Sequence, residues 1–339
     1  MTFKEMLYGK LVTSKLGHAV IVANRDLKSP QSNERQVRTG FSFTDRSKGS
    51  DKLCIILAGY KKDLWDDVFG RLAAFVPKDI DVCIMTSGLV NERLQIIAAR
   101  NGWSYLSTED NHLSLVQNIA IECHPEAQWI YKLDEDMFLT EGFFEKMFET
   151  YHYVQNETIY EPAFVAPLIN VNCYGHLRLL EKLDLLDDFR ATGLTNMKLT
   201  DGLHHSKQVL EDPAVARYLW GETQPVLADI DALTKRFSED ELTYSVCPTR
   251  FSIGAILFTR EAWNEFGHFP LTFDGGPFGL GDDEVHICHY ACFTGRVMVV
   301  NENVVVGHLG YGPQTAEMVK YYLAHRDVFG LPKTEAAQE

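Results

Sequence analysis

The sequence predicts an α/β fold built on a doubly wound sheet, and three observations predict it. Four short strand-like runs fall between residues 52 and 133, separated by stretches of helical periodicity. The first run is continuously apolar, which suits a strand covered on both faces in a parallel sheet, and the second reads as a further buried strand. At 339 residues and 45% hydrophobic, the chain is long enough to bury the core such a sheet needs.

Residues 1–24 mix apolar and basic positions, as a short helix and strand would. Residues 25–51 are rich in Ser, Asn, Arg and Gly and read as an extended or mobile arm. Order is expected from Lys52, where Leu53 to Leu57 is apolar and Gly59 closes the run. A helix over 63–76 follows, then a second strand over 79–86. Asn91 opens a helical pattern that reaches Asn101, and Gly102 is its stop. A third strand is read over 103–106, a helix capped by Asn111 runs to Cys123, and a fourth strand over 129–133 leads into Asp134-Glu135-Asp136. Ligands of such sheets bind beyond the carboxyl ends of the strands, and the acidic triplet stands at one.

The second half is less regular. Strands are expected over 163–169 and 251–258, with helices over 176–190 and 213–219. A glycine-rich loop over 273–281 precedes a helix that starts at Asp282 and ends before Gly295. Strands over 296–300 and 303–306 lead to His308, and a closing helix over 314–329 stops at Gly330. No internal repeat is found.

Charge and cysteine usage narrow the function. A net charge of −15 argues against nucleic acid, which wants a basic face. Residues 1–50 nevertheless carry nine Lys or Arg against four acids, +5 in all, leaving −20 for the rest. That basic extension is an expected contact for anionic lipid or a partner. Seven cysteines, with Cys54 and Cys83 inside apolar runs, read as reduced packing residues. No run reaches the roughly 18 apolar residues of a membrane span, and no signal-peptide core is read at the N-terminus. The expected location is the cytoplasm, with peripheral contact at the inner membrane face left open.

Three adjacent carboxylates at Asp134, Glu135 and Asp136 repel one another unless a cation or a donor-rich ligand compensates. Hard oxygen ligands suit Mg²⁺ or Mn²⁺ bridging the phosphates of a nucleoside diphosphate. A phosphotransferase motif of the Asp-x-Asp-x-Thr/Val kind also follows a strand, but Phe138 stands where Thr or Val belongs. Strand, helix, strand, helix, strand, helix, then strand with Asp-x-Asp resembles the nucleotide-sugar domain of GT-A glycosyltransferases. The resemblance implies a Rossmann-like domain with a doubly wound mixed sheet and a C-terminal elaboration on the acceptor side. It also implies that Asp134 faces the ribose and metal, that Asp136 binds the metal, and that Glu135 is the variable middle residue.

Gly281-Asp-Asp-Glu-Val to Gly295 resembles a segment of inverting GT-A enzymes related to bacterial polysaccharide synthases. There a carboxylate opens a helix that ends at glycine, which implies Glu284 as the catalytic base, with Asp283 the alternative. A helix N-terminus keeps such an acid ionised. His308 occupies the place where members of the fold supply a third metal ligand, and imidazole accepts Mn²⁺ more readily than Mg²⁺. Tyr60 and Lys61 lie where the fold places the nucleotide base, with Ser87 a further candidate. His286 with His289, and His204 with His205, are read as packing or acceptor contacts, because no matching ligand pattern marks a zinc site. The glycine loop meets neither phosphate-loop nor dinucleotide spacing and is read as a hinged cover over the donor.

The expected organisation is a basic extension over 1–51, one catalytic domain over 52–330 and a tail over 331–339. The domain divides into a nucleotide-binding half over 52–140 and an acceptor half over 141–330. The implied reaction moves a sugar from a nucleoside diphosphate sugar, UDP being the commonest carrier, to a hydroxyl of a glycan or lipid-linked glycan. Inversion follows from the Glu284 resemblance alone. A nucleotidyltransferase and a non-catalytic sugar-nucleotide binding protein stay open as alternatives.

Overall fold

The computed structural model describes residues 39–201, 205–271 and 281–332. The basic extension up to Arg38, His204, the glycine loop before Gly281 and the tail beyond Pro332 lie outside the described residues. Among the described residues ten strands form one mixed sheet: β1 Phe41–Thr44, β2 Lys52–Leu57, β3 Asp81–Ser87, β4 Ser104–Thr108, β5 Trp129–Asp134, β6 Met137–Phe138, β7 Pro162–Ile169, β8 Tyr244–Cys247, β9 Ala255–Thr259 and β10 Val297–His308. Their order is β1-β4-β3-β2-β5-β9-β7-β10-β6, with β8 also on β10.

The four expected strands are β2, β3, β4 and β5, and they pair in parallel. The chain runs outward from β2 through β3 to β4, then returns to lay β5 on the other side of β2. The crevice between the carboxyl ends of β2 and β5 is therefore the switch point where open α/β sheets bind ligands. Past β5 the sheet turns antiparallel through β9, and β7 and β10 are again parallel to each other.

Local chemistry explains the element boundaries. The Asn91 side chain accepts from the Leu94 N–H to open helix Glu92–Asn101, and Gly102 ends it at φ 71°, a conformation that costs glycine nothing. The helix after β4, Leu113–Glu122, is capped not by Asn111 but by His112, whose ring accepts from the Leu115 N–H. Cys54 and Cys83 are fully buried, as expected, and burial pushes both thiols up.

Four expectations change. The stretch read as an arm joins the sheet from Thr39 on, because β1 pairs antiparallel with the edge strand β4. The helix expected over 176–190 is two, Gly175–Lys182 and Leu186–Ala191, broken where Asp184 takes φ 59°. The closing helix breaks at His325 into Thr315–Ala324 and Arg326–Phe329. The two strands expected before His308 are one, β10, bent at a buried bulge where the Asn301 carboxamide oxygen accepts from the N–H groups of Asn303 and Val304. Helices Phe143–Glu157 and Ile230–Ser238 were not anticipated.

One buried titratable group sets an acid limit on this fold. His176 is 1% exposed, bonded to the Asn172 carbonyl and packed against the ring of Phe189. Burial pulls its pKa from 6.5 down to about 4. The unfolded chain binds this proton first, so stability is lost as pH falls from about 6.5 towards 4, by up to about 3 kcal/mol. Urea unfolding at pH 7, 5.5 and 4.5 should show a fall that is shallower in His176→Leu; parallel pH profiles would remove His176 from the account.

Candidate functional site

The loop after β2 is held by the middle acid of the triplet. Glu135 is buried, and its carboxylate accepts from the backbone N–H groups of Gly59 and Tyr60, both at 3.0 Å, and from the Trp65 indole at 2.6 Å. Charge-assisted bonds of this kind are the strong ones. Glu135 is thus a clamp between the ends of β5 and β2 rather than the freely variable residue expected. It leaves the Tyr60 ring 65% exposed at the mouth of the cleft.

Lys132 stands inside β5, 2% exposed, and its ammonium donates to Asp134 Oδ1 at 2.8 Å and to the Ile253 carbonyl at 3.0 Å. Asp283 Oδ2 lies 3.8 Å away. Burial works against the charge on Lys132, but Asp134 and Asp283 outweigh it and raise the pKa. One ammonium therefore ties the acidic triplet to the helix Asp282–Thr294, some 150 residues later in the chain.

Asp136 and His308 meet because of strand register. β10 pairs antiparallel with β6, setting His308 opposite Met137, next to Asp136. Gly307 permits this approach: a Cβ there would lie 2.2 Å from the Trp220 ring. His308 is fixed from three sides. Its N–H donates to Asn170 Oδ1, its carbonyl accepts from the Trp220 indole, and its Nδ1 bonds the Val171 carbonyl at 2.8 Å. A carbonyl can only accept, so Nδ1 carries a proton, which leaves Nε2, an acceptor in the neutral ring and a donor in the charged one, facing Asp136 Oδ2 at 3.3 Å. Two acceptors at that distance require a cation or a second proton. Lys61 supplies a cation here, its ammonium pairing with the same Asp136 oxygen. Burial opposes ionisation of Asp136, yet Lys61 and His308 prevail and hold it well below the usual carboxylate range.

The acids at the helix start divide in role. Asp283 is buried with both oxygens engaged, Oδ1 by the Glu284 N–H and Oδ2 by the Gln117 amide at 3.0 Å. Glu284 lines the cleft and makes its contacts through Oε1, with His205 at 3.2 Å and with the Arg250 guanidinium. Among the described residues nothing is bonded to its Oε2. Burial would raise the Glu284 pKa, but His205 and Arg250 lower it below the ordinary value.

These groups share one cleft of about 310 Å³, lined by Tyr60, Lys61, Asp134, Asp136, Asp283, Glu284 and His308 among others. Ser87 does not line it. Its hydroxyl is buried and accepts from the His112 N–H, fixing the turn that opens the next helix. His286 bonds the Phe266 carbonyl, the packing contact expected of it.

The fit to a divalent cation follows from the donor set. A carboxylate oxygen and an imidazole nitrogen converge, which suits Mn²⁺ more readily than Mg²⁺. Asp134, expected as a further ligand, is turned towards Lys132. Among the described residues no three His, Cys, Asp or Glu side chains gather into a ready cage. The remaining positions would fall to donor phosphates and water, as is usual where such a metal bridges a nucleotide. The residues thus fit a metal that arrives with its nucleotide.

Sequence reasoning gave no role to Lys132 or Arg250 and read Glu135 only as the variable middle residue. Lys132 carried a legible signal, a charge inside an apolar strand. Arg250, in an irregular loop, carried none.

A parallel four-stranded unit ending in Asp-x-Asp is continued by an antiparallel extension that brings a histidine back to it, the element order expected from the sequence. No family model matches the sequence, and no curated protein sequence does. Many solved structures match this chain in fold, among them the following three. The mannosyltransferase PcManGT from Pyrobaculum calidifontis, in complex with GDP-Man and Mn²⁺, is 12% identical with a TM-score of 0.43 over 90% of this chain and 68% of that one. TarS of S. aureus is 14% identical with a TM-score of 0.39 over 84% and 41%. Its 1–349 form is 12% identical with a TM-score of 0.39 over 84% and 68%. No helix among the described residues is long and apolar enough to cross a membrane.

Lys132→Met should cost about 3 kcal/mol in urea unfolding, because it leaves the buried Asp283 and the partly exposed Asp134 without their cation. A loss below about 1 kcal/mol would show that the acids do not depend on it.

Proposed function

We propose that this protein is a metal-dependent glycosyltransferase that moves a sugar from a nucleoside diphosphate sugar to an acceptor hydroxyl with inversion. The observation that carries the reading is the convergence, in one cleft at the sheet's switch point, of Asp136 with His308 and of Glu284 on the facing helix. Asp136 and His308 would hold Mn²⁺ or Mg²⁺, which when bound supplies neutralising charge to the leaving diphosphate. Tyr60 offers its exposed ring as a platform for the base, and Lys61 lies towards the phosphates rather than the base. UDP-sugars are the first donors to try, and the acceptor is a glycan or lipid-linked glycan hydroxyl.

Glu284 is the better base of the two adjacent acids. Asp283 has both oxygens committed, whereas Glu284 keeps Oε2 for the acceptor. As the acceptor oxygen attacks the anomeric carbon, its proton passes to Glu284, the new glycosidic C–O bond forms, and the bond to the diphosphate oxygen breaks on the opposite face. His205 and Arg250 hold the carboxylate in place and keep it ionised.

The lowered pKa fixes the pH response. Glu284 accepts a proton only when ionised, so the loss of kcat/KM that belongs to Glu284, read as the difference between wild type and Glu284→Gln, should come only below the ordinary carboxylate value of about 4.3. Glu284→Gln should bind donor normally and lose about 10²- to 10⁴-fold in turnover. Asp136→Ala should lose metal-dependent donor binding. Release of nucleoside diphosphate on adding acceptor reads turnover, while release of pyrophosphate would favour nucleotidyl transfer. Full turnover in Glu284→Gln would remove it as the base.

A further inference from the structure

Resting on the reading of Asp136 and His308 as the metal locus, we propose that Lys61 is an exchangeable counter-ion. Its ammonium holds the metal's place on Asp136 in the empty cleft and transfers to the donor diphosphate when the metal arrives.

The first support is exclusion. Lys61 Nζ and His308 Nε2 both address Asp136 Oδ2. A cation bound between that oxygen and the imidazole takes the ground Lys61 now holds, and two positive charges there repel. Metal and ammonium cannot share the site.

The second is the contrast between a fixed backbone and a free stem. Around Lys61 the main chain is pinned: Glu135 accepts from Gly59 and Tyr60, the Lys61 carbonyl accepts from the Leu64 N–H, and the Lys62 carbonyl accepts from Arg93. The side chain is 25% exposed and, of the described residues, pairs only with Asp136. Lysine is a point charge on a flexible four-carbon stem, so its head can swing from carboxylate to phosphate while its root stays put.

The third is charge. The acids Asp134, Glu135, Asp136, Asp283 and Glu284 crowd the cleft against the cations Lys61, Lys132 and Arg250. Lys132 is locked between two acids, and Arg250 is held on Glu284. Of the three, Lys61 alone can leave its acid, and only when another cation replaces it. A diphosphate delivered with that cation gives the released ammonium a new partner.

The test measures Mn²⁺ binding by electron paramagnetic resonance, alone and with UDP or GDP, in wild type, Lys61→Met and Lys61→Gln, with thermal melting to confirm folding. Both variants should bind Mn²⁺ alone about tenfold more tightly than wild type and bind nucleoside diphosphate with Mn²⁺ about tenfold more weakly. These opposite signs distinguish an exchanging counter-ion from a merely structural lysine. Unchanged or weaker Mn²⁺ binding in the folded variants, with wild type binding Mn²⁺ normally, would overturn the counter-ion role alone. A wild type that binds no Mn²⁺ with either nucleotide would overturn the metal locus, and this proposal with it.

Discussion

The ammonium of Lys132, buried between Asp134 and Asp283, is the interaction on which the site depends. It stands within β5, so the strand that ends in the acidic triplet also carries the charge that draws the helix Asp282–Thr294 to it. Without that charge, carboxylates from two distant segments would face each other in a buried cleft. With it, Asp134, Asp136 and Glu284 line one crevice.

Each remaining acid is compensated by a different device. Glu135 is met by N–H groups and serves structure. Asp136 is met by Lys61 and His308, and Glu284 by Arg250 and His205. Lys132 is tied by several bonds, whereas Lys61, among the described residues, pairs with Asp136 alone.

Much of this was legible in the sequence. The β2 to β5 unit follows from apolar runs and caps, since those signals are local and the strands are buried on both faces. Asp134 and Asp136 were found by their position after a strand, Glu284 and His308 through the resemblance to GT-A enzymes, and the structure sets all four on one cleft. What could not be read depends on pairings across the chain. Register between β10 and β6 puts His308 beside Asp136, while the turn of Asp134 towards Lys132 leaves a two-residue locus where three ligands were expected. Ser87 seemed placed for the nucleotide by its strand end, but its hydroxyl is consumed by the His112 turn. The bend in β10 and the break at Asp184 turn on local backbone geometry, an Asn301 side-chain bond and a positive φ, that apolar periodicity does not signal.

The central claim is that this cleft takes a nucleoside diphosphate sugar together with a divalent cation. A thermal-shift panel of UDP- and GDP-sugars, each with Mn²⁺ and with EDTA, tests it most directly, because a donor that binds the folded protein raises its apparent stability. The account predicts that at least one nucleotide sugar raises Tm with Mn²⁺ and loses the effect in EDTA. A shift indifferent to metal, or none from any donor, would contradict it.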